Sequence, residues 1–210
     1  MAHFAKRNDY GLGCLSEESC DSNPIRQFEA WLQDAQNADF KEPTAMVLST
    51  IGPAGPSGRV VLLKEVTENG FVFYTNYDSR KGQEIKTNPN CALTFYWAEL
   101  ERQVRIEGRA EIVVREKSEK YFKSRPRASQ LGALASQQSA VIASRAELEQ
   151  RVRDLDARYS GDVPMPGNWG GVSVLPERIE FWQGRANRLH DRILYRKKGE
   201  GGWRKERLSP

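Results

Sequence analysis

Five short segments rich in β-branched and aromatic residues constrain the fold of this 210-residue chain most strongly. They lie at 44–50, 59–66, 71–76, 90–97 and 102–114. Most are separated by turn-forming sequences such as Gly-Pro-Ala-Gly-Pro-Ser-Gly and Thr-Glu-Asn-Gly, which typically join neighbouring antiparallel strands. Parallel strands would need a long crossover between each pair. The pattern therefore predicts an antiparallel meander or barrel.

Helical patterns lie on both sides of these strands. Apolar residues recur at helical spacing after Pro24 and predict an amphipathic helix over about 24–38. The chain is again predicted to be helical over about 115–160. Strand patterns return towards the C-terminus, at 171–175, 178–182, 192–195 and 203–207. Strands at both ends most simply complete one sheet, so we predict a mainly β fold with flanking helices (α+β class). It comprises a flexible, polar arm at 1–22 and one domain at 23–210.

Charge and cysteine content narrow the classes of function. The chain carries 32 Lys and Arg against 28 Asp and Glu, a net charge of +4, which suggests an anionic partner. Basic and acidic residues are interspersed, so a solvated surface, a nucleic acid and a phosphate-bearing small molecule are all compatible. Three cysteines, an odd number, and two histidines predict reduced thiols and no metal site.

The sequence also argues against insertion into a membrane and against several enzyme classes. The longest aliphatic run, Val-Val-Leu-Leu at 60–63, is too short for a transmembrane helix. The N-terminus lacks an apolar stretch followed by a small-residue cleavage site, so we expect a cytoplasmic protein. The signatures of nucleotide-binding loops, zinc proteases and serine hydrolases are absent from the sequence.

Arg59 and Lys64 bracket the aliphatic run of the second predicted strand. Because they are five positions apart, they face opposite sides of the sheet if the pleat is regular. One interpretation is that they bind an anionic ligand. The alternative is that they are strand-end charges that keep an edge soluble.

Arg80 and Lys81 open a short helix predicted over 79–88, with Asp78 or Ser79 as its N-cap. Cations are unfavourable at a helix N-terminus because of the helix dipole. Their presence there favours a phosphate that docks on the free backbone N–H groups and on both side chains.

Tyr121, Arg125 and Ser129 recur every fourth residue. In a continuous helix they would line one side and offer hydrogen-bond donors to a second phosphate. Pro126 interrupts or resets such a helix, so the alignment depends on how the chain passes this residue.

Arg188, His190 and Arg192 alternate near the C-terminus and share a face if the segment is extended. They could form a wall of cationic donors beside an aromatic ring, suited to a planar anionic ligand. The alternative is an edge strand whose charges point to water, with His190 stacked on a neighbour.

These segments resemble the pyridoxine/pyridoxamine 5′-phosphate oxidase family over nearly the whole chain. The motifs that carry the resemblance are Arg-Asn-Asp-Tyr at 7–10, Arg-Val-Val-Leu-Leu-Lys at 59–64, Phe-Val-Phe-Tyr-Thr-Asn at 71–76, Ser-Arg-Lys at 79–81, Tyr-Phe-Lys-Ser-Arg-Pro-Arg at 121–127, Trp-Gly-Gly at 169–171, Glu-Phe-Trp-Gln-Gly at 180–184, Arg-Leu-His-Asp-Arg at 188–192 and Arg-Leu-Ser-Pro at 207–210. The arm after Tyr10 is acidic where some relatives are basic.

The resemblance implies an FMN-binding split β-barrel that forms a homodimer, with FMN in clefts between the subunits. It further implies oxidation of pyridoxine 5′-phosphate and pyridoxamine 5′-phosphate to pyridoxal 5′-phosphate, with dioxygen as acceptor, hydrogen peroxide as product and no nucleic-acid partner. Carried over by position, the FMN contacts are Arg59, Val60, Val61, Leu62, Lys64, Tyr74, Thr75, Arg80, Lys81, Gln103, Gln138, Ser139, Trp182 and Arg192.

By the same resemblance, the substrate contacts are Lys64, Tyr121, Arg125, Ser129, Arg188 and His190, with Arg7 and Tyr10 as a lid pair. Arg188 is expected to clamp and polarise the substrate ring. His190 is expected to assist loss of the substrate proton, since a free histidine exchanges protons near neutrality. Two other hypotheses are a split-barrel flavoprotein of different activity and a non-enzymatic nucleic-acid or partner-binding module.

Overall fold

A computed structural model describes residues 9–38, 40–199 and 201–210. Its five α-helices within these ranges are α1 (Pro24–Asn37), α2 (Arg80–Thr87), α3 (Arg115–Ser124), α4 (Arg127–Ala135) and α5 (Arg145–Arg158). Its nine strands within the same ranges are β1 (Ala45–Gly52), β2 (Gly55–Leu62), β3 (Glu65–Thr67), β4 (Gly70–Asn76), β5 (Asn90–Trp97), β6 (Arg102–Ile112), β7 (Trp169–Gln183), β8 (Asp191–Lys197) and β9 (Trp203–Arg207). The helices predicted over 24–38 and 79–88 are confirmed.

The strands form one sheet in which each described pairing is antiparallel, in the order β2-β1-β5-β6-β7-β4-β3, with β8 and β9 continuing from β7. This arrangement confirms the predicted α+β class with strands from both ends in one sheet system. Two predicted boundaries were wrong. The strand predicted over 59–66 divides into β2 and β3, and the strands predicted at 171–175 and 178–182 are one long strand that carries a register shift opposite Gly108.

The helix predicted over 115–160 is also wrong in part, because it is three helices separated by irregular chain. Pro126 separates the first two, since proline cannot continue the preceding helix. Residues 136–144 then run without helix up to Ser144, whose side chain caps α5 by accepting the N–H of Glu147. The irregular stretch brings Gln138 and Ser139 against the sheet, which a continuous helix could not do.

The main core lies between α1 and the sheet. Phe28 of α1 is fully buried, and its ring lies 4.9 Å from the rings of both Phe71 and Phe95. Trp31 packs edge-on against Phe181 at 5.2 Å. A buried aromatic side chain contributes about 3 kcal/mol or more, so these contacts fix α1 on one face of the sheet.

A second, smaller core fixes α3 and α4. It contains the buried residues Phe122, Leu131, Val163 and Trp169. Phe122 meets the indole of Trp169 at 5.1 Å, which joins α3 to the first residue of β7. This cluster holds the segment around Pro126 close to β4.

The described part of the arm, residues 9–22, lies along the C-terminal strands. Leu15 and Cys20 are buried in the main core. The N–H of Leu15 donates to Asp191 at 3.0 Å, and the Tyr195 hydroxyl donates to the carbonyl of Asp21 at 2.7 Å. Because Asp191 and Tyr195 both lie on β8, these two hydrogen bonds hold the arm beside that strand. The flexibility and lid role of the arm stay predictions.

Among residues 9–38, 40–199 and 201–210, the model contains no helix that is both long and apolar enough to cross a bilayer.

Candidate functional site

A cavity of about 920 Å³ opens where β2, β4, the start of α2 and the α3–α4 junction meet. Its volume falls within the range of small-molecule sites. Fourteen residues that the sequence singled out line it: Arg59, Val60, Val61, Leu62, Lys64, Tyr74, Thr75, Arg80, Lys81, Tyr121, Arg125, Ser129, Gln138 and Ser139.

Arg59 and Lys64 line the same cavity, because the regular pleat that would put them on opposite sides does not extend to Lys64. The regular pleat ends at Leu62, and Leu63 turns into the core with 3% exposure. The Lys64 N–H then donates to the carbonyl of Val72 on β4 at 2.8 Å. This break between β2 and β3 redirects the Lys64 side chain into the cavity.

Three cations of the cavity lining, Arg59, Arg80 and Lys81, lie near a buried carboxylate, Glu84, which is not itself part of the described lining. We call these four residues the cationic cradle. The Glu84 carboxylate is buried and accepts hydrogen bonds from Arg59 Nη2 at 3.0 Å and Arg80 Nε at 2.8 Å. The hydroxyls of Thr50 and Ser57 donate to it at 2.5 and 2.7 Å. Burial alone would raise the pKa of Glu84, but these four donors outweigh it and lower the pKa to about 2.

Lys81 lies at the N-terminal turn of α2 and is 9% exposed. Its Nζ donates to Gln138 Oε1 at 3.0 Å and to Thr75 Oγ1 at 3.3 Å. Burial, and next the neighbouring charge of Arg59, lower the pKa of Lys81. An anion beside Nζ would stabilise the ammonium form, so the site is suited to a negatively charged ligand.

The helix start that presents Lys81 depends on two local features. Ser79 is the N-cap, and its hydroxyl oxygen accepts the Gly82 N–H at 3.3 Å. A Cβ added at Gly82 would lie 2.2 Å from the carbonyl oxygen of Tyr77. Glycine therefore allows the Tyr77 carbonyl to approach the first turn of α2.

A second cationic group lies across the cavity at the α3–α4 junction. Arg125 is extended between the two helices, and its guanidinium lies 4.8 Å from the indole centroid of Trp169. Its Nη1 is buried and has no hydrogen-bond partner within the described parts of the chain. Burial lowers the pKa of Arg125. A buried guanidinium N–H without a partner costs stability, and an anionic ligand would remove that cost.

Phenols complete this side of the cavity. Tyr121 stacks on Tyr74, with ring centroids 3.9 Å apart. Burial, with a further contribution from Glu65, raises the pKa of Tyr74 to about 12, and burial also raises the pKa of Tyr121. Both hydroxyls therefore keep their protons. Tyr121, Arg125 and Ser129 line one cavity although the helix breaks between them, so they meet without the continuous helix that the spacing argument required.

The other predicted residues form a separate surface. Gln103 of β6 lies opposite Trp182 of β7, and Trp182 lies opposite Arg192 of β8. Residues paired in this way lie on the same face of the sheet, so the three share one face. His190 lies 4.6 Å from Trp182, and Tyr10 of the arm contacts both rings at 5.7 Å. We call Tyr10, Gln103, Trp182, His190 and Arg192 the aromatic wall. Among the described residues, the wall and Arg188 are not in the lining of the cavity.

The chain before β8 turns sharply, so Arg188, His190 and Arg192 are not one extended run as expected. Asn187 and Arg188 have φ values of 56° and 62°, in the left-handed region that costs about 1 kcal/mol per residue for a non-glycine side chain. The Arg185 N–H donates to His190 Nδ1 at 3.1 Å across this turn. In a neutral imidazole that accepts at Nδ1, the proton lies on Nε2.

Arg192 is held in place by contacts of its own. Its Nε donates to the buried Glu180 carboxylate at 2.8 Å, and its Nη1 donates to the Ser209 carbonyl at 2.7 Å. At the other end of the wall, a Cβ at Gly184 would lie 2.7 Å from Cγ of Tyr10. Glycine at this position therefore lets the Tyr10 ring approach β7. Arg7, predicted as the partner of Tyr10, lies outside the described residues.

Sequence reasoning did not identify Glu84 or Trp169 as site residues. The i, i+4 spacing of Arg80 and Glu84 is a recognisable helical ion pair and could have indicated the first. The stacking of Trp169 on Arg125 joins residues far apart in the sequence, and no local pattern predicts it.

The fold and the cavity define an antiparallel split-barrel protein with two cation groups arranged for anionic ligands. Residues 32–159 match the family described as pyridoxamine 5′-phosphate oxidase, and residues 169–210 match the pyridoxine 5′-phosphate oxidase C-terminal dimerisation region. The chain belongs to the pyridoxamine 5′-phosphate oxidase family, and the resemblance inferred from the sequence is confirmed.

Individual relatives cover almost the entire chain. A pyridoxine/pyridoxamine 5′-phosphate oxidase of Actinobacillus pleuropneumoniae is 57% identical, covering 97% of both chains. One from Rubrobacter xylanophilus is 56% identical, covering 97% of this chain and 94% of the relative. The crystal structure of PhzG from Burkholderia lata has a TM-score of 0.89 at 29% identity, covering 95% of this chain and 99% of that one.

Proposed function

We propose that this protein is an FMN-dependent oxidase that converts pyridoxine 5′-phosphate and pyridoxamine 5′-phosphate to pyridoxal 5′-phosphate. Dioxygen accepts the two electrons and becomes hydrogen peroxide. Oxidation of the amine also consumes water and releases ammonia. The observation that carries the proposal is the presence of two separate cation groups in one cavity, because the reaction needs two phosphate-bearing molecules side by side.

The cationic cradle is the proposed site of the FMN phosphate. Arg59, Arg80 and Lys81 together with Glu84 have a formal charge of +2 at the start of α2. A phosphate monoester carries a charge of about −1.5 to −2 at neutral pH, so the charges match. The side chains of Thr75, Gln138 and Ser139 add polar groups beside Lys81.

Arg125 is the proposed site of the substrate phosphate. Its unpartnered Nη1 provides the donor, and Tyr121 and Ser129 line the same part of the cavity with hydroxyl groups. Charge-assisted hydrogen bonds are roughly twice as strong as neutral ones. Holding the substrate by its phosphate leaves the ring free to be oriented by other residues.

A second copy of the chain is proposed to bring the aromatic wall to the cavity. Val47 and Val60 face each other across β1 and β2 and are 40% and 66% exposed. Tyr96, paired with Gln103 and 57% exposed, lies on the same face as the wall. Because Val60 also lines the cavity, one continuous surface contains the cavity rim, an apolar patch and the wall. A two-fold axis through this surface would place each wall over the cavity of its partner.

Bound FMN would supply the electron chemistry, taking a hydride from the substrate and passing electrons to dioxygen. The chain's own residues would bind the substrate and orient it. Arg188, always cationic, is proposed to clamp the substrate ring and polarise its oxygen. Because Arg185 N–H occupies His190 Nδ1, we propose that His190 presents Nε2–H as a hydrogen-bond donor to the substrate, instead of accepting its proton.

The proposal is tested by mixing the FMN-loaded protein with pyridoxine 5′-phosphate in the absence of oxygen. We expect the visible flavin absorbance to bleach and pyridoxal 5′-phosphate to form in equal amount. Admitting oxygen should restore the absorbance and release hydrogen peroxide. Bound FMN that stays oxidised with this substrate would contradict the proposed reaction and favour a flavoprotein of different activity.

A further inference from the structure

Glu84 does not line the cavity, but it is paired with two residues that do, Arg59 and Arg80, and neither the resemblance nor the proposed reaction gives it a role. It is 5% exposed, and its two carboxylate oxygens divide their contacts. Oε1 accepts from Arg80 Nε at 2.8 Å, and Oε2 accepts from Arg59 Nη2 at 3.0 Å. One carboxylate thus joins an arginine from β2 to an arginine from α2.

The two arginines depend on this carboxylate to different degrees. Arg59 also donates to the carbonyl of Leu48 at 3.2 Å and to the hydroxyls of Thr50 and Ser57. Arg80 has a side chain that is 61% exposed, and Glu84 is its ion-pair partner within the described chain. An exposed arginine without such a partner samples many rotamers and loses rotamer entropy when a ligand immobilises it.

We propose that Glu84 is a positioning residue for the FMN phosphate, which rests on the proposed function. It holds Arg59 and Arg80 in one arrangement, so that their remaining guanidinium N–H groups face the phosphate beside Lys81. Thr50 and Ser57 donate to Glu84 Oε2 and fix the carboxylate in turn. The cradle is therefore organised before the ligand arrives.

Electrostatics alone predicts the opposite effect of removing Glu84. A carboxylate near a bound phosphate repels it, and without Glu84 the formal charge of the cradle rises from +2 to +3. If Glu84 acted only through its charge, its removal would strengthen FMN binding. If it acts by positioning, removal weakens FMN binding and spares flavins that lack the phosphate. The direction of the change separates the two effects.

The test compares apo-protein variants Glu84→Ala and Glu84→Gln with the parent, by titrating FMN and riboflavin and following flavin fluorescence. We expect Glu84→Ala to weaken FMN binding about tenfold and to change riboflavin binding less than about twofold. Glu84→Gln retains one acceptor oxygen and should show a smaller loss. Glu206→Gln is the matched control, because Glu206 also joins two arginines, Arg196 and Arg204, outside the cavity lining.

Three results would overturn the inference: unchanged or tighter FMN binding in both Glu84 variants, an equal loss for FMN and riboflavin, or the same loss in Glu206→Gln. Thermal unfolding of each apo-protein checks the fold. If Glu84→Ala does not fold, the FMN affinity of Glu84→Gln tests the inference instead, because glutamine keeps the size of the side chain. A parent protein that binds neither flavin would contradict the proposed function itself, which is distinct from the failure of Glu84 to position the arginines.

Discussion

The cationic cradle and the aromatic wall are built in different ways. The cradle joins two local units, the β1–β2 hairpin and the start of α2, and its central carboxylate is buried with four hydrogen-bond donors. The wall joins three strands and the arm. It is held through a turn with two left-handed residues and through the Arg192–Glu180 ion pair, and the arm beside it is held by partly exposed ion pairs such as Arg207–Glu17.

This difference indicates that the two regions have different roles. Buried, fully paired charges are rigid and suit a cofactor that stays bound. Exposed ion pairs are weak and screened by salt, which suits a surface that opens to admit substrate and release product. Substitutions in the cradle should therefore change FMN affinity, whereas substitution of His190 in the wall should change turnover.

The largest effect is expected from Lys81→Met, because Lys81 is the buried cation of the cradle. Loss of a charge-assisted contact to phosphate should weaken FMN binding about 100-fold, measured by fluorescence titration of the apo-protein. Lys86→Met provides the control, since it makes the same change at the last turn of the same helix, where the side chain is exposed. Equal affinities in the two variants would show that Lys81 does not contact the phosphate.

Arg125→Ala should affect the substrate and spare FMN. We expect KM for pyridoxine 5′-phosphate to rise about 30-fold, because a charged hydrogen bond in a buried site is lost, while the Kd for FMN stays within about twofold. Arg115→Ala is the control on the neighbouring helix, where the arginine forms an exposed pair with Glu119. Flavin lost on purification of Arg125→Ala would contradict the separation of the two phosphate sites.

The two regions also differ in how far the sequence predicts them. Ser79, Arg80 and Lys81 form a helix start, and local signals of N-cap and charge are enough to identify it. The pairing of Gln103 with Trp182 is set by register between strands about eighty residues apart, and no local pattern fixes that register. Spacing alone joined only His190 and Arg192 of the wall, and Gln103 and Tyr10 were added through the resemblance.

Departures from the predicted pattern occurred where tertiary contacts override local periodicity. Lys64 would face away from Arg59 in a regular pleat, but the pleat stops at Leu62, and the break depends on the pairing of β3 with β4. Tyr121, Arg125 and Ser129 reach one cavity despite the break at Pro126, because Phe122 and Trp169 anchor the junction. In both cases the residues line the cavity, but the backbone path differs from a regular strand or helix.

His190 separates two explanations of how the wall acts. If it donates through Nε2–H, His190→Gln retains a donor, and its rate of flavin reduction should stay within about threefold of the parent, whereas His190→Ala should lose about tenfold. If it accepts the substrate proton, both variants should lose about 100-fold or more. Anaerobic stopped-flow measurement of flavin reduction distinguishes these outcomes, and unchanged FMN affinity in both variants confirms that the cradle is intact.

The smallest effect is expected in the pH dependence of the free energy of unfolding. It is tested by comparing Glu84, a carboxylate of the cradle, with Glu17, a carboxylate of the arm. The pKa of Glu84 is lowered from 4.5 to about 2 in the folded protein, so its contribution to stability is complete above about pH 4.5 and is lost as the pH falls towards 2. Within this window the loss is about 1 kcal/mol per pH unit. Glu84→Gln removes this titrating group.

Glu17 provides the comparison. Its hydrogen bonds with Arg207 also lower its pKa, but its side chain is 44% exposed, so solvent and salt screen the interaction. Urea unfolding at about pH 3.5 and pH 7 should show that Glu84→Gln loses about 1 kcal/mol less than the parent between the two conditions. Glu17→Gln should lose as much as the parent. Equal losses in all three proteins would mean that the Glu84 carboxylate is no better held than one on the surface, and that the charges of the cradle and of the arm do not differ in this respect.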